Sequence, residues 1–173
     1  MRQINTKYHE TTIGQLVLGS FRGRLCFVEI RRDPPTGAAN DRLQRLLDAD
    51  FVEQDDDVLE ETRRQLDEYL SGTREDFDIP LLLVGTDFQK RVWEALLAVP
   101  YGTTATYGQI ARDVGNEKAV RAVGNACRAN PIGIIVPCHR IVGSDGSLVG
   151  YYGGLSVKER LLKLEQGADQ LVG

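Results

Sequence analysis

Two short segments in the second half of the chain carry helix-start signals of the same form, and these signals constrain the fold more than any other feature. In "TDFQ" and "TYGQ" a threonine is followed three residues later by a glutamine, and the two side chains can satisfy two free backbone amides at a helix start. Apolar residues then repeat at helical spacing from Phe88 to Leu97, before Pro100 stops the first helix. The second helix runs through Ile110 and ends at Gly115. We therefore predict a helical C-terminal domain.

A third helix is predicted in "EKAVRAVGNACRA" with Asn116 as its N-cap, and together with the preceding helix it matches a helix-turn-helix. Its small residues are Ala119, Ala122, Gly124 and Ala126, and the cations that project among them are Lys118, Arg121 and Arg128. A thin helix of this kind packs closely against another helix, or it enters a DNA groove and places its cations on phosphates. Both interpretations stay open, since they can concern different faces of the helix.

The first half of the chain contains strand signals. The runs "QLVLGS" and "LCFVEI" flank the turn "FRGR". A Pro-Pro loop leads to a short helix capped by Asn40, and a second helix follows the acidic cap "DDD" and ends at Gly72. We place a domain boundary near Val84. The predicted fold is a small N-terminal α/β domain with an antiparallel sheet, residues 1–84, and a helical C-terminal domain with the helix-turn-helix and an active-site loop, residues 85–173.

The run "GIIVPCHRIVG" combines an apolar segment with three polar or reactive side chains, Cys138, His139 and Arg140. We predict a strand over residues 132–136, followed by a thiol that is core filling, a metal ligand or a nucleophile. The three cysteines of the chain lie far apart, the only histidines are His9 and His139, and no CxxC or HxxxH pair occurs. The sequence therefore supports neither a disulfide framework nor a zinc site, and no metal or other cofactor is expected.

A nucleophilic Cys138 requires a base, because burial among Ile and Val raises the pKa of a thiol. His139 is the candidate base. Adjacent residues on a strand point to opposite faces, so His139 reaches the thiol through a bend, for which Pro137 is suited, or through a bridging water. Glu165 is our candidate for the carboxylate that holds the histidine, since the C-terminal end of a helix disfavours a carboxylate without a specific partner. We predict that this last helix is capped by Ser156.

Charge is divided unevenly along the chain, although the net charge is only −4. Residues 1–84 carry 11 Lys and Arg against 17 Asp and Glu, whereas residues 85–173 carry 10 against 8. A phosphate backbone is therefore drawn to the second half and not to the first. The apolar runs are too short for a membrane span, and the first residues lack the pattern of a signal peptide. We expect a cytoplasmic protein without a membrane partner.

The surroundings of Cys138 resemble a known active-site signature. "PCHRIVGSDGSLVGYYGG", preceded by "NP" and followed by "KERLLKLE", is similar to the signature of the O6-alkylguanine-DNA alkyltransferases, or methylated-DNA–protein-cysteine methyltransferases. The resemblance continues back through "GTDFQKRVWEALLAVPYGTTATYGQIA" and "KAVRAVGNACRANP", over about half of the chain. It implies single-turnover DNA repair, in which the alkyl group of O6-alkylguanine, or of O4-alkylthymine, moves directly to Cys138. It also implies a monomer whose partner is double-stranded DNA containing alkylated guanine.

The resemblance implies roles for individual residues in the reaction. Cys138 is the alkyl acceptor, His139 deprotonates it through a water, and Glu165 orients the histidine. Tyr107 donates a hydrogen bond to the purine and helps the guanine leave as a neutral base. Arg121 enters through the minor groove and fills the gap left by the extruded nucleotide, which offsets part of the lost stacking.

The resemblance also implies further DNA contacts and a base pocket. The other expected DNA contacts are Lys118, Ala119, Ala122, Arg128 and Asn130, of which the last joins the recognition helix to the active-site strand. Tyr107, Tyr151 and the backbone around Ile141 and Tyr152 are expected to form the pocket. Tyr152 stands where the family usually has a small residue, and Gly133 stands where some relatives have a proline. The size of the alkyl group that the pocket accepts therefore stays open.

Three other classes of protein remain as alternatives. A relative that binds alkylated DNA without repairing it lacks the cysteine of this motif, which Cys138 supplies. A cysteine hydrolase built on Cys138, His139 and Glu165 requires an oxyanion site, and the sequence has no G-x-S-x-G-type elbow. A helix-turn-helix regulator requires side chains that contact base edges, and the alanine-rich helix offers few of them.

Overall fold

The computed structural model describes residues 2–31, 38–151 and 153–167 of the chain. In the N-terminal half the described elements are β1 (Gln3–Thr11), β2 (Gly14–Phe21), β3 (Arg24–Ile30), α1 (Ala38–Leu47), β4 (Asp50–Glu53) and α2 (Asp57–Leu70). The strands form one sheet in the order β3-β2-β1-β4. The pairing is antiparallel except between β1 and β4, which run parallel. The predicted α/β half with an antiparallel sheet is confirmed, and the parallel edge strand is an addition to it.

One acidic cap ties α2 to the sheet. Asp56, the middle residue of the predicted "DDD" cap, accepts a hydrogen bond from the Leu59 amide at 2.8 Å and so satisfies a free N–H of the first turn. Its other carboxylate oxygen accepts hydrogen bonds from Asn5 of β1 and Ser20 of β2. The start of α2 is thereby fixed on the sheet, and its buried face, which carries Tyr69, lies in the core.

The C-terminal half is helical, as predicted. Its described elements are α3 (Asp87–Leu97), β5 (Ala105–Thr106), α4 (Tyr107–Asp113), α5 (Val120–Arg128), a 3-10 helix (Cys138–Arg140), β6 (Ile141–Val142) and α6 (Leu155–Glu165). Both capping boxes are present, with Thr86 and Gln89 at the start of α3 and Thr106 and Gln109 at the start of α4. α4 and α5 pack against each other as the two helices of the predicted helix-turn-helix, and the short strands β5 and β6 pair in parallel.

The two halves share one hydrophobic core. Tyr69 of α2 and Trp93 of α3 are both fully buried in the same cluster of apolar residues. Backbone hydrogen bonds also join the halves, because the Val28 amide of β3 donates to the Pro131 carbonyl at 2.9 Å and the Gly133 amide donates to the Val28 carbonyl at 3.0 Å. The domain boundary stays a prediction. Residues on both sides of it form hydrogen bonds that hold the loop preceding Cys138.

The recognition helix begins later than the sequence indicates. α5 starts at Val120 with Ala119 as its N-cap and without a side-chain cap bond, so Lys118 and Ala119 precede it. Asn116 does not cap the helix, because its side-chain oxygen accepts a hydrogen bond from the Lys118 amide at 3.2 Å. That bond joins Asn116 to the amide two residues later and closes a turn. An asparagine side chain near a helix start often forms such a turn instead of capping the helix.

Two further predicted helix starts are wrong. α1 begins at Ala38, so Asn40 lies inside it and not at its cap. α6 begins at Leu155, so Ser156 also lies inside its helix, and the N-cap residue is Gly154. Gly154 has a φ of 99°, a conformation that favours glycine, and it provides no side-chain cap. The backbone of the preceding glycine loop, and not a serine hydroxyl, therefore sets the direction of α6.

The apolar segment 132–136 is a turn and not the predicted strand. Its Ile135 amide donates to the Gly133 carbonyl at 2.7 Å. Ile134 has a φ of 68°, a backbone conformation that residues other than glycine rarely adopt. The isoleucines of the segment are buried, so its composition reflects burial in the core. Periodicity does not distinguish a short buried turn from a short buried strand.

Candidate active site

Cys138 begins a 3-10 helix and faces a cavity. Its amide donates to the Val136 carbonyl at 2.8 Å, and the Arg140 amide donates to the Pro137 carbonyl at 3.0 Å, so the chain bends at Pro137 as expected. Cys138 is only 5% exposed, but it lines a cavity of about 630 Å³. Among the other residues that line this cavity are Tyr107, Arg121, Arg128, Val149, Gly150 and Tyr151. The thiol is therefore within reach of a molecule that enters the cavity.

A buried carboxylate holds the histidine that follows Cys138 in the chain. Nε2 of His139 lies 2.7 Å from Oε2 of Glu165, and both side chains have no exposed surface. Arg140 donates to both oxygens of the same carboxylate, from Nε at 2.7 Å and from Nη2 at 3.0 Å. The hydroxyl of Tyr69 donates to Oε2 at 2.5 Å. Nδ1 of His139 has no hydrogen-bond partner among the described residues, so it is the nitrogen that can take a proton.

The charges of this group favour an ionised carboxylate and a neutral imidazole. Burial alone would raise the pKa of Glu165, but hydrogen bonds from His139, Arg140 and Tyr69 lower that pKa to about 2. Burial lowers the pKa of His139, with Arg140 and Lys158 acting in the same direction, although Glu165 acts against them. The imidazole is therefore neutral and ready to accept a proton near pH 7.

The thiol of Cys138 is protonated in the free protein. Burial raises its pKa to about 11, while a hydrogen bond from Asn130 and the nearby ammonium of Lys158 act in the opposite direction. Nδ2 of Asn130 lies 3.5 Å from Sγ and also donates to the Val136 carbonyl at 3.0 Å, and its oxygen accepts from the Ile132 amide. Asn130 thus joins the end of α5 to the loop of Cys138, which is where the sequence predicts it.

A tyrosine and a lysine hold the backbone at Val149 and Gly150, two residues that line the cavity. Tyr107 is the first residue of α4, and its hydroxyl donates to the Val149 carbonyl at 3.1 Å. Nζ of the buried Lys158 donates to the same carbonyl at 3.0 Å and to the Gly150 carbonyl at 3.2 Å. If Tyr107 is to donate to a purine, it must release Val149, which Lys158 still holds. The Val149 carbonyl therefore has a second donor besides Tyr107.

Exposed cations lie around the mouth of the cavity. Arg121 and Arg128 of α5 both line the cavity and are exposed, and Lys118 is exposed just before the helix. Ala122 is also exposed, whereas Ala119 is half-buried, so the helix presents a thin surface between its cations. The opposite face packs inward, since Val123, Ala126 and Cys127 are buried. The inward face thus shows the close packing predicted for this helix, whereas the entry of its exposed face into a DNA groove stays a prediction.

The predicted base-pocket residues are only partly brought together. Tyr151 lines the cavity, and its ring lies 6.4 Å from the His139 ring in an edge-to-face arrangement. Ile141 is fully buried in β6, and neither it nor Gly133 is among the described residues that line the cavity. Tyr152 lies outside the described residues, so its expected part in the pocket stays a prediction.

Sequence reasoning missed three residues of this site, which are Tyr69, Arg140 and Lys158. Tyr69 lies on the apolar face of α2 and gave no polar signal. Arg140 was noted beside Cys138, but it received no role. Lys158 carried a detectable signal, because it falls on the same helical face of α6 as Leu161 and Leu162, where a cation needs buried partners.

Comparison with known proteins identifies the family. A family model described as 6-O-methylguanine DNA methyltransferase, DNA binding domain, matches residues 87–167, and one described as the ribonuclease-like domain of the same family matches residues 6–83. The methylated-DNA–protein-cysteine methyltransferase of Methanosarcina acetivorans is 54% identical over 112 residues, which cover 65% of this chain and 72% of that protein. The chain belongs to the 6-O-methylguanine DNA methyltransferase family. The predicted family is thus confirmed.

Solved structures agree with this assignment. The O6-methylguanine methyltransferase of Mycobacterium tuberculosis has a TM-score of 0.81 at 37% identity, with 95% of this chain and 93% of that one covered. A second Mycobacterium tuberculosis structure, of OGT in complex with DNA, has a TM-score of 0.79 at 38% identity, with the same coverage. The predicted fold, the methyltransferase activity in DNA repair and the DNA partner are therefore confirmed.

In the described ranges, no helix is long and apolar enough to cross a membrane, and no group of His, Cys, Asp or Glu is suited to a metal ion.

Proposed function

We propose that the protein transfers the methyl group of O6-methylguanine in double-stranded DNA to Sγ of Cys138, once per molecule. One observation carries this proposal. The sulfur lines a cavity whose mouth is bordered by the exposed cations of α5, and the next residue in the chain is His139, which is buried against Glu165. This arrangement supports a nucleophile that meets a DNA base, because the cations attract phosphates and the imidazole accepts the thiol proton.

The reaction exchanges one bond for another. The sulfur of Cys138 forms a bond to the methyl carbon, and the bond between that carbon and O6 of guanine breaks. The thiol proton passes to His139 through a water. The electron pair of the broken bond stays on the guanine, which takes up one proton, helped by the hydrogen bond from Tyr107, and leaves as a neutral base. His139 then gives its proton back to water, so that protons and charge balance. Since the thiol has a pKa of about 11 and burial lowers that of His139, proton transfer is uphill in the free protein. The thiolate therefore forms only as the attack on the bound base proceeds.

The base must leave the duplex to reach the thiol. O6 of a stacked guanine cannot enter a cavity beneath α5, so the nucleotide rotates out, and a damaged base that pairs badly costs less to extrude. Arg121 is exposed at the mouth of the cavity, where its side chain can fill the space that the nucleotide leaves. Lys118, Arg128 and the small surface of Ala119 and Ala122 then lie against the DNA backbone.

Single turnover follows from the bond that forms. The product is a thioether, which water does not cleave as it cleaves a thioester, so the thiol is consumed. The same attack applies to larger O6-alkyl groups and to O4-alkylthymine, since each presents a saturated carbon on an exocyclic oxygen. One chain contributes Cys138, His139, Glu165 and Tyr107, which supports action as a monomer.

An intact-mass measurement tests the proposal. Incubation with a duplex that contains O6-methylguanine should add one methyl group, about 14 Da, on Cys138 as a stable covalent adduct. The gain should saturate at one per protein molecule even with excess DNA. Cys138→Ser should bind the duplex without any gain in mass, whereas the matched control Cys26→Ser, in the N-terminal half, should react as the parent does. A protein that binds the duplex but stays unmodified, or one that converts many duplexes, would contradict the proposal.

A further inference from the structure

The N-terminal half supplies one hydroxyl to the buried relay of the C-terminal half. Tyr69 lies on α2 and has no exposed surface. Its hydroxyl donates to Oε2 of Glu165, the same oxygen that lies 2.7 Å from Nε2 of His139. The hydroxyl oxygen is itself 3.5 Å from that nitrogen. The tyrosine therefore reaches the point at which the imidazole and the carboxylate meet.

The ring of Tyr69 cannot easily move away from this position. It packs against Phe77 with ring centroids 5.2 Å apart and against Tyr101, edge to face, at 6.1 Å. Both neighbours are partly buried and pack against the core that the two halves share. In a close-packed interior a ring that touches several neighbours keeps one rotamer, so the direction of its hydroxyl is fixed by the packing of α2.

The carboxylate of Glu165 is held by several donors, and Tyr69 completes the set. Oε1 accepts from Nε of Arg140 at 2.7 Å and from the Gly102 amide at 3.4 Å. Oε2 accepts from Tyr69 and from Nη2 of Arg140 at 3.0 Å, besides its contact with His139. Burial and the neighbouring carboxylate raise the pKa of Tyr69 well above its usual value, so the hydroxyl stays protonated and acts only as a donor.

We propose that Tyr69 is a positioning residue for methyl transfer, which holds Glu165 so that Oε2 binds Nε2 of His139 and leaves Nδ1 as the proton acceptor. The inference rests on the proposed function, in which His139 takes the thiol proton. It gives the N-terminal half a part in the chemistry beyond its support of the core. Tyr69 acts through Glu165 and His139, and it touches neither the thiol nor the base.

The test removes the hydroxyl of Tyr69 and compares the effect with that of removing the hydroxyl of a neighbouring tyrosine. Tyr69→Phe keeps the ring and deletes the donor to Glu165. Tyr101→Phe is the matched control, because Tyr101 packs against Tyr69 but its hydroxyl has no hydrogen-bond partner among the described residues. The rate constant of transfer is measured with protein in excess over O6-methylguanine duplex, from pH 5 to pH 9. Affinity for undamaged duplex is measured in parallel, so that a loss of DNA binding is recognised.

We expect Tyr69→Phe to lower the rate constant roughly tenfold, the effect of one lost hydrogen bond, without a change in DNA affinity. The acid limb of the pH profile should also move to higher pH. Loss of a donor makes the Glu165 carboxylate more basic, so it stabilises the protonated imidazole better and raises the pKa of His139. The other charged groups that face His139 are Arg140 and Lys158, and neither is changed. A role in packing alone would lower stability and leave this limb in place.

A second measurement separates this inference from the proposed function. The chain has only two histidines, so an NMR titration follows His139 directly, whether or not methyl transfer occurs. If the parent protein does not methylate Cys138, the proposed function fails, while a shift of the His139 pKa in Tyr69→Phe still supports the contact through Glu165. Equal rate constants and an equal pKa of His139 in parent and Tyr69→Phe would overturn the inference. Should Tyr69→Phe not fold, 3-fluorotyrosine at position 69 keeps the ring and strengthens the donor, and an unchanged pKa of His139 there would overturn it equally.

Discussion

At the scale of single residues, the most consequential contact is the ion pair between Arg140 and Glu165. The arginine is 7% exposed, and the carboxylate has no exposed side-chain surface. Glu165→Gln keeps the shape of the side chain and removes its charge, which leaves the guanidinium of Arg140 buried without a counter-charge. We expect the free energy of unfolding to fall by about 3–5 kcal/mol, the cost of breaking a buried pair from one side. Urea denaturation followed by circular dichroism measures it.

A surface pair on the same helix provides the control. Glu159 lies 2.9 Å from Lys163, one helical turn away, and both side chains are about half exposed. Glu159→Gln should therefore change the free energy of unfolding by less than about 0.5 kcal/mol, because exposed pairs are screened by water and salt. Equal losses in the two variants would mean that the charge of α6 matters, and not the buried contact with Arg140.

Chemistry, more than spacing, made single residues predictable from the sequence. A thiol needs a base and a base needs a carboxylate. This requirement, together with the disfavoured place of Glu165 at the end of a helix, selects His139 and Glu165, which the structure places in contact. Tyr69 could not be selected in this way, because an aromatic residue on an apolar helix face is normally core and its hydroxyl partner lies 96 positions away. The partners of Lys158 are backbone carbonyls, which no sequence pattern encodes.

At the scale of elements, the two capping boxes offer a matched pair of substitutions. Thr106 accepts from the Gln109 amide and Thr86 from the Gln89 amide, each at 3.1 Å, so the two caps have the same geometry. Thr106→Ala and Thr86→Ala should each lower the free energy of unfolding by about 1 kcal/mol, the usual value for a lost N-cap. Thermal denaturation compares the two.

Only one of the two caps lies beside the reacting groups. Tyr107 is the residue directly after the Thr106 cap, so fraying of that turn displaces its hydroxyl from the cavity. We expect Thr106→Ala to lower the rate constant of methyl transfer on the order of threefold to tenfold, since small misplacements of a positioned group are costly. Thr86→Ala should leave it unchanged. An equal loss of rate in both would show that global stability, and not the position of Tyr107, limits the reaction.

The elements that were predictable are those whose ends are encoded by side chains. The capping boxes identify α3 and α4, and the acidic cap identifies α2, because in each a side chain satisfies a backbone amide. The starts of α5 and α6 have no side-chain cap and were misplaced. β1 and β4 were not predicted, since polar residues interrupt both, and β4 is a short parallel edge strand that exists only through its pairing with β1.

At the scale of the whole molecule, the buried groups together determine how stability depends on pH. His139 and Glu165 are harder to protonate in the folded chain, because burial lowers the pKa of His139 from 6.5 and hydrogen bonds lower that of Glu165 from 4.5 to about 2. The unfolded chain therefore binds more protons than the folded chain at acid pH. Their contribution to stability is complete above pH 6.5, falls first as unfolded His139 is protonated, and falls again below pH 4.5 through Glu165.

The three buried cysteines determine how stability changes at alkaline pH. Burial raises the pKa of Cys138 from 9.0 to about 11 and those of Cys26 and Cys127 to about 12. A raised folded pKa stabilises below the unfolded pKa, so this contribution is complete below pH 9.0 and is lost as the pH rises. Burial lowers the pKa of Lys158, so this group makes stability rise with pH and opposes the effect of the thiols. It is one group against three, and the free energy of unfolding still falls at alkaline pH.

We therefore expect the free energy of unfolding to be largest between about pH 6.5 and pH 9, and to fall on both sides by up to about 1.4 kcal/mol per pH unit for each group concerned. Denaturant titrations between pH 4 and pH 10.5 measure this profile. Cys26→Ala removes a thiol far from the reacting groups, so it should flatten the alkaline limb and leave the acid limb in place. His139→Gln should flatten the acid limb between pH 6.5 and pH 4.5 and leave the alkaline limb in place. A profile that stays flat across this range would mean that these groups are open to water, and that the imidazole and the thiol titrate as exposed side chains do.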